Sequence, residues 1–231
     1  MKINDDMVSK LMENFFVLNK GCSMVSKERF DTIFLYQEKI KQIEGDIVEC
    51  GVWRGGFSIF LALMFPEKKI WMVDSFNGFQ KLSDAKFTSY IRERFVDDGS
   101  SFNNYCKCSD DEVRKNMAEY DLYEGDRIKL LKGYVRDTLP TAPIDKISLL
   151  RVDVDAHSAT LEVLTYLYPK VISGGLIIFD DTCIEGAKIA INTFLEENHL
   201  PTTLYDPNTN KQIELNKFMS PDISGGYMFK P

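Results

Sequence analysis

Histidine is nearly absent from this chain. Only His157 and His199 occur in 231 residues, which excludes a metal site built from several imidazoles. Cysteine is scattered: Cys22, Cys50, Cys106, Cys108 and Cys183 form an odd set, and the C-x-C of Cys106 and Cys108 has no second pair to complete a zinc site. These read as reduced thiols. Positive charge is in deficit, with 28 Lys and Arg against 35 Asp and Glu, so a nucleic acid finds no electrostatic support here. Long hydrophobic runs are missing too. "FSIFLALMF", from Phe57 to Phe65, falls well short of the roughly 20 residues a membrane span needs. The opening "MKINDDMVSK" sets acids where a signal peptide has its apolar stretch. The expectation is a cytoplasmic protein with no membrane span.

What is present is a regular alternation. A hydrophobic content of 44% over this length suits one α/β domain with a sizeable core. "KERFDTIFLYQEKIKQIEG" carries Phe30, Ile33, Phe34 and Ile40 on one helical side, with Gly45 beyond its end. Such a helix suits covering a sheet or a second copy of the chain in a homo-oligomer. Strand-like runs at 46–52, 69–75, 127–133, 147–153 and 175–180 then alternate with helical stretches. Strands apolar on both faces predict a parallel sheet covered by helices. "TTLYD" and "GGYMFK" near the end suggest a closing pair of strands. The organisation expected is an N-terminal helical segment, 1–44, covering the site, followed by one domain over 45–231. The polar stretch of about 76–110 reads as an insertion or lid.

Two places carry chemistry. "VECGVWRGG" falls where the first strand turns into the next helix, with the spacing G-x-x-x-G-G at Gly51, Gly55 and Gly56 rather than the G-x-G-x-x-G of dinucleotide folds. The glycines alone are equally a tight strand–helix turn. Asp74 ends the next strand near the roughly 20-residue interval at which an acid meets a ribose diol. Together they point to a nucleoside-containing cofactor. Glu49 beside the turn would repel a pyrophosphate, which favours S-adenosylmethionine over NAD.

The second place is acidic. Asp153 and Asp180 end two successive apolar strands, each closely followed by another acid, Asp155 and Asp181. Clustered carboxylates raise one another's pKa unless a cation intervenes, and a hard divalent ion such as Mg²⁺ takes oxygen ligands. Asp155, and Asp181 with Thr182, read equally as caps of the helices that follow.

"GDIVECGVWRGG", "VDSFNGF", "LLKGYVRDTLP", "LRVDVDAHSAT" and "GGLIIFDDT" together resemble the successive motifs of the macrocin O-methyltransferase (TylF-type) family. The resemblance implies a Rossmann-like class I S-adenosylmethionine-dependent methyltransferase fold. That fold is a mostly parallel seven-stranded sheet with helices on both faces and an antiparallel closing strand. It implies a divalent-metal-dependent O-methyltransferase acting on a sugar or glycosylated small molecule. Glu49, Gly51 and the turn through Gly55 would hold the methionine part of the cofactor, Asp74 the ribose, with Ser75 and Phe76 close by. Gly133 and Tyr134 would border the adenine, Met24 would approach from the N-terminal segment, and Asp153, Asp180 and Asp181 would bind the metal. Val154, His157 and Ser158 depart from the family's pattern, which leaves the acceptor side open. Asp153 is the first choice as the base that takes the acceptor's proton, and His157 is the other, although His157 is equally a helix-start residue. A catechol-type phenol acceptor, an NAD-dependent oxidoreductase and a non-catalytic binding protein are the alternatives.

Overall fold

The computed structural model describes residues 21–25, 27–80, 101–215 and 225–231. A first helix, α1 (Lys27–Gln42), precedes β1 (Asp46–Cys50), α2 (Gly56–Met64) and β2 (Ile70–Asp74). Two short helices follow, α3 (Ser101–Cys106) and α4 (Asp110–Ala118), then β3 (Ile128–Lys132) and the single turn α5 (Val135–Thr138). Next come β4 (Ile147–Val152), α6 (His157–Leu167), β5 (Val171–Phe179) and α7 (Glu185–Glu197). The chain closes with β6 (Thr203–Tyr205), β7 (Gln212–Glu214) and β8 (Gly226–Phe229).

The strands form one sheet in the order β3-β2-β1-β4-β5-β8-β6-β7. The first five run parallel, and β8 enters antiparallel to β5. The sheet has eight strands where seven were expected. The additional one is β7, hairpinned to β6 at the edge. Its sequence, "QIE", is too short and polar to read as a strand, and the preceding turn supplies the missing information. The Asp206 carboxylate accepts from the Asn208 amide and the Thr209 hydroxyl, both at 2.8 Å, which folds the chain back on itself.

Helices cover both faces, which is why the central strands are apolar throughout. Ile47, Ile70, Met72, Leu149 and Ile178 lie in the core shared with α1 and α2, where Val113 and Met117 of α4 join them. Val48, Val73, Leu150, Ile177 and Phe179 lie in the core shared with α6 and α7. On α1 the predicted stripe is buried at Phe30, Ile33 and Ile40, each at 0% exposure, while Leu35 on the opposite side is 59% exposed. The Phe30 ring lies 4.7 Å from Phe57 and 4.8 Å from Phe60. Each such buried side chain contributes roughly 1.5–3 kcal/mol, enough to dock α1 firmly on the sheet. Residues 1–20 and the middle of the expected lid, 81–100, lie outside the described residues. No described helix is long and apolar enough to cross a membrane.

Candidate active site

In an open parallel sheet the strand order reverses at one point, and loops leaving the strands there diverge to leave a crevice. Here the reversal falls between β1 and β4. A cleft opens at their carboxyl ends, with an empty volume of about 920 Å³ that includes its mouth. Gly51, Asp74, Tyr134, Asp153, Asp155 and Glu162 are among the residues that line it. Gly51 has φ 89°, and a Cβ there would stand 1.5 Å from the Asp153 carbonyl oxygen. Only glycine lets β1 turn so close to the end of β4.

Asp74 fixes that turn from the next strand. Its Oδ2 accepts the amides of Val52 (2.7 Å) and Trp53 (2.9 Å), and its Oδ1 accepts the amide of Phe76 (2.7 Å). Burial raises its pKa, while these three backbone amides and the Ser75 hydroxyl pull against the rise. Each carboxylate oxygen accepts two hydrogen bonds; Ser75 Oγ also approaches Oδ1 at 3.5 Å, but its single proton is better placed on the Gly78 carbonyl at 2.7 Å, so Oδ1 retains capacity on the cleft side.

The acids assemble on the other half of the cleft. The Asp153 amide donates to the Cys50 carbonyl and the Asp180 amide to the Val152 carbonyl, both at 2.9 Å, which brings the two aspartates side by side. One carboxylate oxygen from each of Asp153, Asp180 and Asp181 lies within 4.8 Å of the others. Burial pushes the Asp153 and Asp181 carboxyls far up. For Asp153 the Arg151 guanidinium pulls against burial, whereas Asp181 is raised further by Asp153 and Asp155. Asp155 has φ 56°, in the left-handed region that aspartate enters more readily than most residues. Its amide is held by the Asp181 Oδ2 at 2.9 Å. Burial, reinforced by Asp180, pushes the Asp155 carboxyl up to about 6.

Beneath this cluster lies a residue the sequence reading passed over. Arg151 stands in β4 at 1% exposure, inside an otherwise apolar strand, directly opposite Glu49 in the β1 register. Its Nη1 donates to the Glu49 carboxylate at 2.6 Å, and its Nη2 sits 2.7 Å from Asp153 and 3.1 Å from Asp180. The guanidinium stacks over the Phe57 ring at 4.2 Å. Burial opposes its charge, but Asp153, Asp180 and Glu49 raise its pKa beyond the ordinary value. From α1, Arg29 donates to the Asp180 backbone carbonyl at 2.8 Å and lies 2.5 Å from Asp180 Oδ1. Five carboxyl groups (Glu49, Asp153, Asp155, Asp180, Asp181) face two guanidiniums, so full ionisation would leave three negative charges in excess, and burial and crowding raise the pKa of Glu49, Asp153, Asp155 and Asp181 against it.

The expected residues divide accordingly. Met24, Gly51, Asp74, Ser75, Tyr134 and Asp153 line the cleft, and Asp180 and Asp181 complete the acidic trio. Glu49 does not line it. At 1% exposure it lies below the floor, held by Ser58 and Arg151, because its register position points into the core beside α2. Gly55, Phe76 and Gly133 shape the loops without lining the cleft; Phe76 acts through its amide on Asp74. His157 begins α6 between Ala156 and Ser158, both of which line the cleft, but does not line it itself. The capping reading of Asp155 and Asp181 fails: α6 and α7 start at Ala156 and Ile184 without a side-chain cap. Cys106 also borders the cleft, its thiol pushed up to about 11 by burial and then by Asp155, which keeps it protonated and inert at neutral pH.

A sheet of this order, with an antiparallel closing strand and its cleft at the β1–β4 reversal, is the Rossmann-like class I methyltransferase fold. The structure of the O-methyltransferase NovP shares it with a TM-score of 0.72 and 28% identity, covering 90% of this chain and 82% of that one. Within that class the chain belongs to the macrocin-O-methyltransferase (TylF) family, whose sequence profile matches residues 17–209. It is 34% identical over 167 residues to the mycinamicin III 3''-O-methyltransferase of Micromonospora griseorubida, covering 68% of this chain and 62% of that protein. It is 31% identical over 179 residues to the 8-demethyl-8-(2,3-dimethoxy-alpha-L-rhamnosyl)-tetracenomycin-C 4'-O-methyltransferase of Streptomyces olivaceus, covering 74% and 67%. The match to the mycinamicin enzyme therefore spans less than two thirds of that enzyme's length.

Proposed function

We propose that this protein is an S-adenosylmethionine-dependent, divalent-cation-assisted O-methyltransferase whose acceptor is a hydroxyl of a sugar or glycosylated small molecule. Supporting the sugar are the family membership and the rhamnosyl group in the name of one relative. The observation that carries the reading is the pairing, across one cleft, of a clamped ribose-type acid with an acid trio in excess negative charge.

Both absent groups suit the residues present. Asp74 Oδ1 keeps capacity for a ribose hydroxyl, and the cleft runs from Asp74 to Asp153 of the trio. At the trio, Asp180 Oδ1 is buried and receives no directed hydrogen bond despite the nearby guanidiniums. Asp153, Asp180 and Asp181 would hold the cation. S-adenosylmethionine supplies an electrophilic methyl group, and a hard divalent ion such as Mg²⁺ supplies charge stabilisation to an ionising alcohol.

The chain's own part is positioning and proton transfer. Asp155, rather than Asp153 or His157, is assigned the proton. Asp153 is tied to Arg151 by a 2.7 Å ion pair, and His157 does not line the cleft. The Asp155 carboxylate has no ion-pair or hydrogen-bond partner among the described residues, and its left-handed backbone is pinned by Asp181. A carboxylate oxygen of Asp155 accepts the acceptor's hydroxyl proton as the oxygen becomes nucleophilic. Tyr134, whose hydroxyl donates to the Phe79 carbonyl at 3.2 Å, closes the far end of the cleft.

The test pairs the D155N variant with the unmodified chain, assayed with Mg²⁺ or EDTA on a panel of glycosides, nucleotide sugars and a catechol. Turnover on a sugar hydroxyl that EDTA abolishes is expected. D155N should lose about 10²–10⁴-fold in kcat while calorimetry finds cofactor affinity within twofold. Methylation of the catechol alone would replace the acceptor, and near-normal D155N turnover would return the base to Asp153 or His157.

A further inference from the structure

The two arginines at the trio are not equivalent. Arg151 is immobile: it is 1% exposed, its Nη1 is tied to Glu49, and its plane stacks on Phe57. Arg29 arrives from outside the sheet, on α1, and reaches Asp180 along a route left open by Gly225, where a Cβ would stand 2.6 Å from Nη1. One Arg29 nitrogen serves both the Asp180 carbonyl at 2.8 Å and its Oδ1 at 2.5 Å. That Oδ1 accepts no directed hydrogen bond, and Asp180 is one of the three candidate cation ligands.

Building on the cation reading above, we infer that Arg29 is a place-holder for the cation: its guanidinium neutralises Asp180 until a divalent ion takes that carboxylate. A guanidinium and a divalent ion a few ångströms apart repel, which favours withdrawal of any arginine able to move; Arg151, tied to Glu49 and stacked on Phe57, is not. Arg29 is the one able to do so, because it can keep its bond to the Asp180 carbonyl while releasing Oδ1. Cation binding and the docking of α1 are then coupled, and the coupling is reciprocal: whatever lifts Arg29 tightens the site, and filling the site loosens the start of α1. The segment before α1 shares in this. The Cys22 carbonyl accepts the Gly56 amide at 2.8 Å, and Met24 borders the cleft, so loosening α1 also loosens the cover of the glycine turn.

Two variants test this on the full-length, chelator-treated chain, with Mn²⁺ as the probe in calorimetry. R29M removes the charge and keeps an apolar stem. G225A keeps the arginine but puts a methyl group in its path. Both are expected to bind Mn²⁺ about tenfold more tightly than the unmodified chain. Amide exchange near the start of α1 should speed up when Mn²⁺ is added to the unmodified chain and should be insensitive to it in R29M. If the unmodified chain binds Mn²⁺ and both variants bind it equally or more weakly, Arg29 merely props Asp180 and the inference is overturned while the cation reading stands. If the unmodified chain takes up no Mn²⁺, the cation reading falls and this inference with it.

Discussion

The two halves of the cleft handle buried carboxylates in opposite ways. On the β2 side a single acid, Asp74, is met by three backbone amides, donors fixed by the fold itself. Across the cleft, four aspartates and Glu49 share two arginines, the Ser58 hydroxyl on Glu49 and one amide hydrogen bond, from Asp155 to Asp181. The first arrangement is closed: removing the carboxylate leaves buried N–H groups without acceptors. The second is open: its carboxyls are crowded and lifted in pKa, and on the reading proposed above a cation would complete it. On that reading the fold completes the cofactor side by itself and leaves the acidic side to be completed by a ligand.

Breaking the closed half should have the largest effect. D74N leaves one oxygen and turns an amide NH₂ toward backbone donors, so the loss is expected at about 2–4 kcal/mol of stability, read by urea unfolding. Affinity for S-adenosylmethionine should fall at least tenfold in the same protein.

Removing a carboxylate from the open half should act with the opposite sign. D181N retains an oxygen for the Asp155 amide but deletes one of three excess charges. In EDTA its Tm should rise by about 2–4 °C, the response to roughly 1 kcal/mol in a chain of this size. The further rise that Mg²⁺ gives the unmodified chain should disappear. A D181N protein less stable than its parent in EDTA would mean the aspartates are stabilising one another through contacts not described above.

How far the sequence disclosed this contrast follows from distance along the chain. Gly51, Asp74 and the acids after β4 and β5 were legible because each sits at a strand end, where hydrophobic pattern and polar residue meet. The parallel sheet was legible for the same reason, apart from β7, which depends on the Asp206 turn. Arg151 was not legible as a partner. A charge within "ISLLRV" has meaning only once β1 and β4 pair in a register that sets it against Glu49, 102 positions away. Arg29 lies further still, 151 positions from Asp180, on a helix whose visible signal is its apolar stripe. The Asp155 conformation was equally hidden, since φ is set by the loop and not by the residue.

The remaining effect concerns the floor of the open half. Burial pushes the Glu49 carboxyl up to about 7, with Arg151 and Ser58 pulling against it, whereas in the unfolded chain it titrates near 4.5. Between those values the folded state holds a proton that the unfolded state has released. Stability from this group is therefore present below about pH 4.5 and is lost as pH rises toward 7. The expected decline is on the order of 2 kcal/mol across the window, the net of burial against the Arg151 and Ser58 contacts. E49Q should flatten that slope in urea unfolding run from pH 5 to 8. Its absolute stability is a poorer guide, since the substitution also leaves Arg151 with one fewer anion. A slope unchanged in E49Q would assign the pH response to the aspartates above, and the floor of the cleft would then be as closed as the Asp74 side.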